Sequence, residues 1–135
     1  MSTSFFIKLY LLTIPVFFLI DLLWLGVLAR PLYRKELAAF LGDSFNWQAA
    51  ALFYLVFIVG ILLFSVVPAL RKDAWQHALI WGALFGFFTY ATYDLTNLAT
   101  LPGWPVKVVI IDILWGTFLC ASVAVTSFFI GRWLQ

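Results

Sequence analysis

Charge is scarce in this 135-residue chain: eight Lys or Arg and six Asp or Glu make up 10% of it, against 65% hydrophobic residues. Water-soluble domains carry about 25% charged residues, so a soluble fold is excluded, and the mean hydropathy of +1.07 agrees. The formal net charge of +2 is spread along the chain with no basic tail or patch, which excludes a nucleic-acid partner. Cys120 is the only cysteine and lies in an apolar run, leaving no disulfide framework and no cysteine-built zinc site. One histidine, His77, and one methionine leave no Ser-His-Asp set and no haem-ligating pair, so neither metal nor cofactor is expected.

What is abundant is apolar and aromatic. Aromatics reach 20%, with 7 Trp and 15 Phe, the enrichment found where helices meet lipid and anchor at headgroup level. Four apolar stretches are long enough to cross a hydrocarbon core of roughly 30 Å at 1.5 Å per residue: about 5–29, 47–70, 74–97 and 106–134. Between them stand Arg30 and Pro31, then Pro68 with Arg71, Lys72 and Asp73, then Leu101-Pro102-Gly103-Trp104-Pro105. The predicted fold is all-α: residues 1–135 form one integral-membrane bundle of four transmembrane helices. Leu32 to Leu41 put Tyr33, Leu37, Phe40 and Leu41 on one helical face, which predicts a short interfacial helix after the first span. A cleaved signal is the rival reading of the first span, since Val27-Leu28-Ala29 resembles a cleavage site, but no basic stretch precedes it and Asp21 interrupts it.

Four spans place both termini on one side. Lys8, Arg71, Lys72 and Arg132 fall on that side, and Arg30, Arg34, Lys35 and Lys107 on the other, so the positive-inside count ties. Cytoplasmic termini in a bacterial inner membrane are the working expectation.

Three acids carry the chemistry. An aspartate at the centre of a bilayer costs about 2.5–3.5 kcal/mol on insertion scales, and Asp21, Asp94 and Asp112 all lie within spans. Asp21 stands roughly 12 Å before the end of the first span and Asp112 roughly 9 Å past the start of the fourth, and Asp94 is near the end of the third, so all three occupy the half opposite the termini. Trp24, Trp115 and Asn97 follow Asp21, Asp112 and Asp94 at i+3, and Tyr90 precedes Asp94 by one turn. Tyr93 adjoins it in the polar run from Tyr90 to Thr100. The pattern predicts one acidic pocket with aromatic walls, suited to a cationic or lipid-like small molecule. The alternative is that each Asp only hydrogen-bonds across helices or pairs with Arg30 or Lys107. Gly82 and Gly86 on the third span, and Gly116, Cys120 and Ala124 on the fourth, form small-residue stripes read as close helix packing.

Two echoes centre on aspartates. Asp21-Leu22-Leu23-Trp24-Leu25 lines up with Asp94-Leu95-Thr96-Asn97-Leu98, and Ile20-Asp21-Leu22-Leu23-Trp24 with Ile111-Asp112-Ile113-Leu114-Trp115. With Tyr93-Asp94-Leu95-Thr96-Asn97-Leu98-Ala99-Thr100-Leu101 followed by Trp104-Pro105, and with Asp21-x-x-Trp24 and Asp112-x-x-Trp115, the chain resembles, over nearly its whole length, the bacterial membrane-protein family known as domain of unknown function 2177. The resemblance implies a four-span inner-membrane protein. It implies no mechanism, and maps the family's polar positions onto Asp21, Tyr93, Asp94, Asn97 and Asp112.

The leading expectation is therefore a ligand pocket in the membrane. Three others stand beside it: a small proton-coupled exporter working as a homodimer, an integral-membrane enzyme acting on lipids with carboxylates as acid and base, and an assembly subunit without a ligand.

Overall fold

A computed structural model describes residues 1–135, which are 84% helical with no strand. Helix α1, Thr3–Leu23, starts on Ser2, whose Oγ accepts the Phe5 N–H at 3.1 Å. A π-helical turn, Trp24–Leu28, extends it to a bend at Ala29, and α2 follows over Arg30–Glu36. Helix α3, Trp47–Ile61, is capped by Asn46 and runs through a second π turn, Leu62–Val66, into α4, Val67–Lys72. Both π turns precede a proline. A proline ring clashes with the carbonyl four residues back, which is Val27 for Pro31 and Phe64 for Pro68, and each of these lies inside the widened turn. Asp73, at φ +50°, makes the tight turn into α5, Trp75–Thr100; Leu101 leaves the helix in extended conformation before Pro102, and α6 spans Val106–Leu134.

The short helix differs from its expected range. It begins earlier and ends at Glu36, where Leu37 leaves helical angles, and Leu37–Phe40 form a turn. The face predicted to lie on lipid instead packs partly on protein: Phe40 lies 4.9 Å, centroid to centroid, from Trp104.

The helices line up as four antiparallel rods. Met1, Ser2, Ser4 and Phe5 border one cleft with Leu134 and Gln135, so both termini are at the same end, where Arg132 also ion-pairs with Asp73 of the α4–α5 turn. Three rods, Thr3–Leu28, Trp47–Lys72 and Val106–Leu134, are long and apolar enough to cross a membrane. The fourth, α5, has 26 residues but is more polar, with its polar residues concentrated between Thr89 and Asn97.

Packing is closest between α5 and α6, and small residues set it. A Cβ on Gly82 would stand 2.7 Å from the Ala124 Cβ; one on Gly86 would strike the Gly116 carbonyl and approach the Cys120 Cβ at 2.8 Å; one on Gly116 would strike the Tyr90 ring. Each four-residue step along α5 thus meets a four-residue step back along α6: Gly82 with Ala124, Gly86 with Cys120, Tyr90 with Gly116. Without a hydrophobic driving force in lipid, such close backbone approach supplies the van der Waals contact that holds helices together. Helix α1 joins α6 through the buried Thr13 and Ser127 hydroxyls, 2.9 Å apart, and Phe17, Ile58, Ile61, Val66, Leu119, Val123 and Phe128 fill the core. The second rod packs on α5 mainly from its π turn onward. Helix α3 keeps its backbone farther from α5 and meets it through Phe57 against Phe85 and Tyr90; the larger cavity lies beside these rings.

Candidate functional site

The next rung of the α5–α6 ladder is acidic. One turn beyond Tyr90 and Gly116, the same register sets Asp94 opposite Asp112, and both line one small cavity. Asp94 is fully buried and Asp21 3% exposed, while Asp112 is partly buried. None of the three is ion-paired, the only salt bridge being Arg132 with Asp73 at the far end.

The three acids divide between two cavities. The larger, about 540 Å³, lies between all four rods and is lined by Asp21 and Leu25 of α1 and its π turn, Phe53, Tyr54 and Phe57 of α3, Thr89, Tyr90 and Tyr93 of α5, and Asp112 and Trp115 of α6. The smaller, about 240 Å³, is lined by Asp94, Asp112, Tyr33, Tyr93, Trp104, Leu25, Leu37 and Val108. Asp112 borders both; Asp21 borders only the first and Asp94 only the second. No Lys, Arg or His lines either.

The tryptophans pair across helices rather than along them. Trp115 Nε1–H donates to Asp21 Oδ1 at 3.2 Å, so the acid on α1 is held from α6, and not by Trp24 one turn on. Trp24 stacks flat on Trp115, with centroids 4.5 Å apart and planes 8° apart, and donates its indole N–H to Tyr33 Oη at 3.2 Å. Tyr33 in turn donates to Asp112 Oδ1 at 2.8 Å. Burial first, and the neighbouring Asp112 carboxylate second, push the Tyr33 phenol above its ordinary value, so it stays protonated and keeps donating. Asn97 is half-buried and lines neither cavity.

Sequence reasoning singled out Tyr90, Tyr93 and Trp115, which wall the larger cavity, but missed Tyr54, whose phenol faces Asp21 from α3. A signal existed: between Gln48 and Ser65, Tyr54 is the only side chain with a polar tip in an apolar run. The sequence pattern puts Tyr33 on the interfacial helix and Trp104 in the turn before the fourth span. Their place in the smaller cavity depends on α2 folding back over the α5–α6 turn, which no local pattern encodes.

Against known proteins, the family model described as a predicted membrane protein (DUF2177) matches residues 6–129. No curated protein and no solved structure matches the chain.

Proposed function

Since the chain belongs to the DUF2177 family of predicted membrane proteins, we propose that it is a four-span bundle of a bacterial inner membrane that binds a lipophilic cation in the larger cavity. The fourth crossing, α5, is supported by its length and by its close packing along α6. Its polar strip is accommodated because Asp94 turns inward to the bundle rather than to lipid. Termini at one end of the bundle fit an even number of crossings, with both taken as cytoplasmic and α2 lying at the opposite interface.

One observation carries the ligand class: two carboxyl groups, Asp21 and Asp112, stand among six aromatic side chains without a cationic partner. In a low-dielectric setting an unpaired carboxylate is costly. A bound cation would offset that cost, and the faces of Phe53, Tyr54, Phe57, Tyr90, Tyr93 and Trp115 add quadrupole attraction and apolar contact. The volume suits a small molecule rather than a bare ion.

The test is equilibrium binding of radiolabelled tetraphenylphosphonium to the purified chain in nanodiscs. Saturable binding is expected, and Asp21→Asn and Asp112→Asn should each weaken it by at least about tenfold, the scale of losing one charge contact at an effective dielectric near 20. Absence of saturable binding, or equal affinity in both well-folded Asn variants, overturns the reading.

A further inference from the structure

The smaller cavity contains groups that nothing in the protein satisfies. Neither Asp94 oxygen has a hydrogen-bond partner and the Trp104 indole N–H has no acceptor, although Asp94 is fully buried and Trp104 only 8% exposed. These acceptors and this donor line one space of about 240 Å³, which is room for water to bridge them. Beside that space the α5–α6 register, set by Gly82, Gly86 and Gly116 against Ala124, Cys120 and Tyr90, puts Asp94 opposite Asp112 across the same cavity. Two carboxyls can hydrogen-bond to each other only when one of them carries a proton.

We propose that Asp94 and Asp112 share one proton and form a proton-exchange site, hydrated through the smaller cavity, which gives up this proton when a cation enters the larger one. The link between the cavities is Asp112, which borders both. On cation entry, the O–H bond of the protonated carboxyl breaks, the proton passes to a water oxygen in the smaller cavity, and the pair goes from one negative charge to two. The entering monocation adds one positive charge, so the net charge of the site is unchanged. Around the pair stand Tyr33 on α2, Tyr93 on α5 and, across the larger cavity, Asp21 on α1, Tyr54 on α3 and Tyr90 on α5; no basic side chain is among them. The smaller cavity reaches Leu37 and Trp104, in the connections at the end of the bundle, which gives the proton its way out. The cation half of this proposal rests on the reading above; the shared proton does not.

Two measurements on the full chain in nanodiscs separate them. Infrared spectroscopy of the ligand-free protein should show a protonated-carboxyl C=O band that disappears on alkalinisation. Asp94→Asn and Asp112→Asn should each remove it, and Trp104→Phe, which deletes only the indole N–H, should shift its frequency. A missing band, a band that persists in either folded Asn variant, or an unshifted band in Trp104→Phe overturns the hydrated pair, whatever the ligand result. The second measurement follows a pH indicator in weak buffer during tetraphenylphosphonium addition, counting protons per bound cation. About one proton per cation is expected from the stoichiometry of one shared proton, falling toward zero in Asp94→Asn. Binding without release overturns the exchange and leaves the ligand reading standing. If tetraphenylphosphonium does not bind, the ligand reading and the coupling both fail, and the infrared band alone decides the proton pair.

Discussion

Tyr33 is the residue through which the helix after the first rod grips the acids. Its hydroxyl receives the Trp24 N–H and donates to Asp112, so one atom joins the π turn of α1, α2 and α6. Tyr33→Phe keeps the ring and removes both bonds, and a hydrogen bond to a charged group is worth roughly 1.5–3 kcal/mol. A melting temperature lowered by several degrees is the expected result in a thermal unfolding scan. The pH dependence has a definite sign. The Tyr33 phenol is held above its ordinary value near 10, so the folded state keeps a proton that the unfolded chain loses above that pH. The stability advantage of the parent over Tyr33→Phe is therefore constant below about pH 10 and shrinks as pH rises beyond it. An advantage that grows above pH 10 would contradict the donor role.

Among the elements, α5 and α6 meet backbone to backbone, whereas α3 meets α5 through aromatic side chains. The glycines of α5 are contact surfaces: Gly86 has no room for a Cβ against the Gly116 carbonyl, whereas a Cβ on Gly26, in the π turn of the first rod, meets nothing within 4 Å. Replacing Gly82 and Gly86 together with Leu forces the two helices apart, and overpacking of this kind costs about 1–3 kcal/mol or more. Thermal unfolding in detergent should show the loss, with Gly26→Ala as a control that melts like the parent. Because the same register brings Asp94 to Asp112, the double Leu variant should also lose the protonated-carboxyl band. Equal melting of the double variant and the parent would make the α5–α6 seam incidental. Helix α3 presents Leu52, Leu55 and Val56 outward and meets α5 through side chains, Phe57 beside the Phe85 and Tyr90 rings and Gly60 against the Phe85 ring. Those rings hold the two backbones apart, and the larger cavity opens beside them.

For the whole molecule, the number of crossings is the property to measure. Single cysteines are placed in a Cys120→Ser background, the native Cys120 being fully buried, and labelled with a membrane-impermeant thiol reagent in intact and permeabilised cells. Cysteines at Ser2, Lys72 and Gln135 should label from one side, and those at Asp43 and Gly103 from the other. Three crossings would put Ser2 and Gln135 on opposite sides and refute the four-span arrangement. If the paired labelling holds, Asp21, Asp94 and Asp112 all lie in the half facing Asp43 and Gly103, and cations and protons reach the two cavities from that face.

The amino-acid sequence by itself determined the class of solvent, the helical architecture and the position of the acids along their helices. These are local quantities: hydropathy sums along the chain, and position follows from 1.5 Å per residue. It also held both halves of the small-residue seam, Gly82 and Gly86 on one helix and Gly116, Cys120 and Ala124 on the other. Only the tertiary structure decided which acid faces which partner. It separated Asp21 from Asp94 into different cavities, gave Trp115 rather than Trp24 to Asp21, and brought in Tyr54 and Tyr33. The reason is that rotation and register of one helix against another are not set by hydrophobicity when lipid is as apolar as the helix surface. They are set by how side chains and backbones interlock across the seam, and that fit exists only once all the rods are in place.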